Sequence, residues 1–129
     1  MRHIFFVHDG QEDPSTRRHY LESSGFRVST FSSGEDAIKE MAIDRPDGVI
    51  MDILLEGRNG FEICREIRKL HSRDELPVIL CSAVYRQPVY REEAADAGAQ
   101  GYLLRPFALG EMVRHLKAAI DRTPVASTR

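Results

Sequence analysis

One stretch constrains this chain more than any other: Val49, Ile50 and Met51, then a single carboxylate, Asp52, then Ile53, Leu54 and Leu55. A run that is apolar at consecutive positions buries both of its faces, which is the pattern of a central parallel strand between layers of helices. An ionised acid inside such a run is costly unless cations or hydrogen-bond donors await it, so other parts of the chain must supply them. Two readings of Asp52 are open at this point. It caps the turn after the strand, where Asp is common, or it is a functional acid.

The remaining segments alternate strand and helix around this one. His3–Val7 is an apolar run that opens at His8, Asp9 and Gly10 into a polar loop. Asp13 and Pro14 read as N-cap and first residue of a helix over 15–24, stopped by Gly25, with a thin apolar face of Tyr20 and Leu21. Phe26, Val28 and Thr30 alternate with polar residues, as in a strand with one wetter face at or near a sheet edge. Ser33 caps a helix through about residue 44, buried along Ala37, Ile38, Met41 and Ala42. Beyond the Asp52 strand, residues 57–60 turn into a helix whose apolar face is Phe61, Ile63, Cys64, Ile67 and Leu70. Residues 76–81 form the fourth strand, 90–97 an alanine-rich fourth helix closed by Gly98, and 102–104 the fifth strand. Leu109, Met112, Val113, Leu116 and Ile120 recur at helical spacing in the fifth helix. Five strand–helix units of this size predict an α/β fold, a doubly wound parallel sheet with right-handed crossovers and helices on both faces.

A chain of 129 residues fits one domain, expected over 1–121, with a loose polar tail over 122–129. Its 18 basic and 20 acidic residues, net charge −2, are interspersed and give no electrostatic case for a nucleic-acid or membrane surface. Cys64 and Cys81 lie in apolar surroundings without a CxxC, as buried thiols in a reducing compartment do. No apolar run is long enough for a signal peptide or a membrane span, so a cytoplasmic location is expected. The chain is expected to be either a stand-alone protein or a piece of a longer one.

In doubly wound sheets the ligand crevice lies beyond the carboxyl ends of the strands, where the strand order reverses. This sequence loads those ends with His8 and Asp9, Asp52, Ser82 and Arg105. Two carboxylates, a hydroxyl and a cation gathered at one edge suit a hard divalent metal and a phosphoryl group. A carboxylate can take that group as an acyl phosphate, with a hydroxyl and a cation on its other oxygens. No Gly-rich phosphate loop follows any strand, which argues against a nucleotide-binding enzyme.

Four segments resemble the receiver domain of two-component response regulators: IFFVHD; VIMDILLEGRNG, with a glycine eight residues beyond the acid; LPVILCSA; and GAQGYLLRPF. The likeness runs from Arg2 to Asp121. It implies the flavodoxin-like strand order 2-1-3-4-5, Asp52 as phosphoacceptor, and Mg²⁺ held by Asp9, Asp52 and the Leu54 main-chain carbonyl. It also implies Ser82 and Arg105 as phosphate-contacting groups and Tyr102 as the aromatic switch. The chain departs from the pattern in places: His8 stands where the family usually has a second acid, Arg105 where it nearly always has lysine, Glu56 where proline is common, and the first loop is long. With His8 a neutral ligand, Mg²⁺ is expected to bind weakly. Arg105 could fork onto Asp52 and replace the metal, which would suit a receiver that is not phosphorylated.

The resemblance thus implies a signalling receiver whose only chemistry is its own phosphorylation and dephosphorylation. The alternative is a degenerate receiver that binds proteins without phosphate. The partners implied are a histidine kinase or phosphotransfer protein and a downstream protein, or a second copy of the chain. They would meet the face of the fourth helix, fifth strand and fifth helix, where Tyr85, Tyr90, Arg91, Tyr102 and Arg114 are candidate anchors.

Overall fold

The structure is a computed structural model and describes residues 1–122. The elements alternate as β1 (His3–Val7), α1 (Ser15–Ser23), β2 (Arg27–Phe31), α2 (Gly34–Met41), β3 (Gly48–Asp52), α3 (Gly60–Leu70), β4 (Val78–Ser82), α4 (Pro88–Ala97), β5 (Gly101–Leu104) and α5 (Leu109–Arg122). The strands form one parallel sheet in the order β2-β1-β3-β4-β5, as expected. The tail expected over 122–129 lies outside the described residues, apart from Arg122 at the end of α5.

The two-faced burial inferred for the Asp52 strand extends to its neighbours, since every residue of β1, β3 and β4 is buried. One face, Phe5, Val7, Val49, Met51 and Leu80, packs with Ala37 and Met41 of α2, Ile63, Cys64 and Ile67 of α3, and Ala94 and Ala97 of α4. The other, Ile4, Phe6, Ile50, Ile79 and Cys81, packs with Leu21 of α1 and with Met112, Val113 and Leu116 of α5. Each large side chain fully buried in this way contributes about 1.5–3 kcal/mol. The wetter strand β2 is an edge, and only Val28 in it is buried. Both cysteines are free and buried, and burial pushes the Cys64 thiol up to about 11 and the Cys81 thiol up to about 12.

Several boundaries differ from the sequence reading. Asp13 does not sit at the N-cap itself. Pro14 takes that place, and the Asp13 carboxylate accepts hydrogen bonds from the Ser15 N–H and hydroxyl one residue further in. Helix α4 begins two residues early because Pro88 supplies its first turn. Helix α2 ends at Met41, three residues short of expectation. Strand β3 stops at Asp52: Ile53 stays buried, but Leu54 is exposed, so the apolar run leaves the sheet there.

The loop after β3 is clamped by α3. Asn59 and Glu62 form a reciprocal capping box, and the Gly60 N–H donates to the Ile53 carbonyl at 2.8 Å. A Cβ on Gly60 would lie 2.6 Å from the Asp52 carbonyl oxygen and 2.9 Å from Ile53 Cα, both backbone atoms that cannot swing aside. Gly60→Ala is therefore expected to destabilise the fold by about 1–3 kcal/mol, measured by urea unfolding; unchanged stability would show that the loop has room to yield.

Candidate functional site

The carboxyl ends of β1, β3, β4 and β5 enclose a cleft of about 190 Å³. Five of the residues singled out from the sequence line it, namely Asp9, Asp52, Leu54, Ser82 and Arg105, together with Glu12, Cys81 and Ala83. Parallel pairing explains the convergence, because Asp52 is in register with Cys81 and Ser82 with Leu104, so successive strands end side by side. His8 and Tyr102 are not among the lining residues.

Asp52 is only 4% exposed. Its charge is met by an arginine, but not by Arg105. Arg17 of α1 reaches across the sheet end, with Nη1 2.7 Å from Oδ1 and Nη2 2.8 Å from Oδ2. The Asp9 N–H adds a third donor, 3.1 Å from Oδ2. Arg17 is itself 7% exposed, and its guanidinium lies over the Phe6 ring at 4.5 Å from the centroid. Arg105, the cation the sequence offered as a possible fork on Asp52, instead donates from Nη1 to Glu12 at 2.6 Å. The correction has a geometric cause. A residue one turn before Leu21 on α1 points at the same sheet face as Leu21, and from there a forked side chain meets the end of β3. The thin apolar face of α1 was the signal, since Arg17 occupies its missing inward position.

Glu12 also went unforeseen. Besides accepting from Arg105, it lies 3.8 Å from Arg17 Nη2, so one carboxylate in the long first loop ties both cations together. The Arg105 hydrogen bond holds the Glu12 carboxyl below the usual carboxylate range, helped by the charges of Arg105, Arg17 and His8 and opposed by partial burial.

Ser82 Oγ accepts the N–H groups of Val84 at 3.1 Å and Tyr85 at 2.9 Å, which folds the β4–α4 loop back on the strand end. Tyr102 is buried: its hydroxyl donates to the Tyr85 carbonyl at 2.6 Å, its ring stacks near Phe61 at 6.3 Å, and Arg91 lies over it at 5.8 Å. It is thus a core contact beneath the loop that Ser82 holds, with little surface to offer as one of the candidate anchors. Burial raises its phenol above the ordinary value. His8 is buried, with Nδ1 3.1 Å from the Asp9 carbonyl and its ring 5.4 Å from that of Phe6.

Comparison with known proteins gives this arrangement its context. Residues 4–117 match the model of the response regulator receiver domain. The chain belongs to that family. Among relatives of this receiver, the response regulator MprA of Mycolicibacterium vanbaalenii is 35% identical over 121 residues, covering 93% of this chain and 51% of MprA. The receiver thus spans about half the length of the curated relatives it matches. The receiver domain of the sensor histidine kinase PA1611 from Pseudomonas aeruginosa, solved with a magnesium ion coordinated in its active-site cleft, superposes with a TM-score of 0.81 at 30% identity over 93% of this chain and 98% of that one. The non-phosphorylated HemR receiver domain from Leptospira biflexa gives 0.83 at 25% identity, over 97% and 98%.

The donor set of this receiver does not fit a divalent cation. Asp9 Oδ1 accepts the Gln11 N–H at 2.9 Å, and both Asp52 oxygens are held by Arg17, so three of the four carboxylate oxygens on these two residues are engaged by protein donors. Among the described residues, no three His, Cys, Asp or Glu side chains are grouped to hold a metal ion.

The two arginines should behave differently on truncation. Arg17→Ala strands the Asp52 charge, whose side chain is 5% exposed, and is expected to cost about 3–5 kcal/mol. Arg105→Ala breaks a pair whose side chains are 28% and 36% exposed and should cost within about 1 kcal/mol. Because the folded-state pKa of Glu12 is lowered, its contribution is complete above the unfolded value of about 4.3 and is lost as pH falls through the folded value. Denaturant titrations of both variants, and of Glu12→Gln across acid pH, check this ranking; equal losses for the two arginine variants would refute it.

Proposed function

We propose that this receiver takes a phosphoryl group onto Asp52 from a histidine kinase or phosphotransfer protein and passes the change to a downstream protein. The observation that carries this reading is the gathering of Asp52, Asp9, Ser82 and Arg105 in one cleft of a receiver-family chain. In the transfer, an Asp52 oxygen attacks phosphorus, and the bond from phosphorus to the donor imidazole nitrogen breaks with its electron pair left on that nitrogen. Oδ1 is the less encumbered nucleophile, because it accepts one hydrogen bond where Oδ2 accepts two. Arg105, the more exposed cation, leaves Glu12 for a phosphoryl oxygen, since the new group carries more charge than the carboxylate it abandons. The Ser82 hydroxyl donates to another phosphoryl oxygen, which loosens the loop above Tyr102.

The output surface on this reading is the α4–β5–α5 face, with Arg91 and the exposed Val84 and Val89 available to a partner or to a second copy, and Tyr102 acting from beneath. The chemistry is confined to the receiver's own aspartate. Among the described residues no helix is long and apolar enough to cross a membrane, which accords with a cytoplasmic place beside a kinase. The fork of Arg17 on Asp52 favours a second reading, a binding module that never takes phosphate.

Incubation with acetyl phosphate or a phosphorylated histidine phosphotransfer domain, followed by intact-mass measurement, separates the two. The expected result is one phosphoryl group on the wild type and none on Asp52→Asn. Equal uptake by Asp52→Asn would move the acceptor elsewhere, and a wild type that takes no group from either donor would leave the binding module.

A further inference from the structure

We propose that Arg17 is the resident cation of this site, standing where a metal-dependent receiver would carry a divalent ion, so that Asp52 is neutralised and oriented without metal. The guanidinium satisfies both carboxylate oxygens at 2.7 and 2.8 Å. Mg²⁺ needs near-octahedral oxygen ligands and gives up its waters reluctantly, so it competes poorly for oxygens already held in a planar fork. It would also have to enter beside a fixed positive charge of low exposure, and like charges at a few ångströms repel strongly where water is scarce.

Arg17 cannot simply swing away. Its guanidinium lies against Phe6, its other neighbouring acid is Glu12, and leaving Asp52 would strand a buried charge on each side. The rest of the site agrees. His8 offers ring nitrogens and no anionic oxygen, a poor match for a hard cation, and Asp9 spends one oxygen on the Gln11 N–H and its own N–H on Asp52. The PA1611 receiver, at 30% identity, holds magnesium in the corresponding cleft, so the fold itself does not forbid the metal. Arg17 is a positioning residue on this account: it holds the plane of the Asp52 carboxylate with one bond to each oxygen, and the Asp9 N–H on Oδ2 leaves Oδ1 the less engaged of the two.

Metal exclusion stands on this geometry alone, whereas its bearing on phosphoryl uptake rests on the reading of Asp52 as acceptor. The test has two arms. Calorimetric titration of Mg²⁺ and of Mn²⁺ into the full chain should show no saturable binding through the millimolar range. The variant His8→Asp/Arg17→Ala, which restores an acid and frees both Asp52 oxygens, should bind Mg²⁺ at least about tenfold tighter. In the second arm, uptake from acetyl phosphate by the wild type should be the same in excess chelator as in Mg²⁺ to within about twofold. Saturable Mg²⁺ binding by the wild type, or loss of its uptake in chelator, overturns the proposal, and both wild-type results stand even where the double variant fails to fold. A wild type that binds no metal and takes no phosphoryl group upholds Arg17 as the resident cation while refuting the phosphoacceptor reading.

Discussion

Asp52 ends a strand in which every residue is buried, and its charge is sustained there because Arg17 arrives from the first helix with both Nη atoms. A buried ion pair contributes little net stability relative to apolar residues of the same shape, but removing one partner is expensive. The pair therefore fixes position more than it adds stability. It orients the carboxylate and ties α1 to the end of the sheet beside Phe6, while the Asp9 N–H leaves Oδ1 with fewer hydrogen bonds than Oδ2.

Around that pair the site is a balance of three acids against two arginines. Glu12 sets the balance, because it holds Arg105 by a short hydrogen bond and Arg17 by a longer ion pair at 3.8 Å. Arg105 is thereby kept in reserve at the rim while Arg17 is committed in the interior. The hydroxyl of Ser82 is likewise engaged, as the acceptor for two loop amides, and the same loop carries the carbonyl that holds the Tyr102 hydroxyl. A negative group added at Asp52 would compete for Arg105 and for Ser82 together. The packing of Tyr102 against Phe61 is thus coupled to the cleft through one short segment of chain.

The fold was legible because its signals are local and periodic. Consecutive apolar residues in β1, β3 and β4 required two covered faces, the mixed pattern of β2 required an edge, and the strand ends carried the polar residues that meet in the cleft. Boundaries were read less well where a cap works at a distance. Asp13 caps from one residue further out, and Asn59 closes a capping box that the neighbouring glycines obscured. The participation of Asp9, Ser82 and Arg105 in one cleft followed from their places at strand ends, but their partners did not.

The sequence by itself determined that a lone carboxylate ends a buried central strand and that a cation must come to it. Which cation comes was decided only in three dimensions. Arg17 and Arg105 carry the same side chain, and Arg105, at a strand end, was the candidate the sequence offered. The choice turned on the placement of α1, which brings Arg17 to Asp52, and on the first loop, which brings Glu12 round to hold Arg105. Periodicity records which way a residue faces within its own helix or strand. It does not record how far a long side chain reaches beyond that element, and the chemistry of this site depends on that reach.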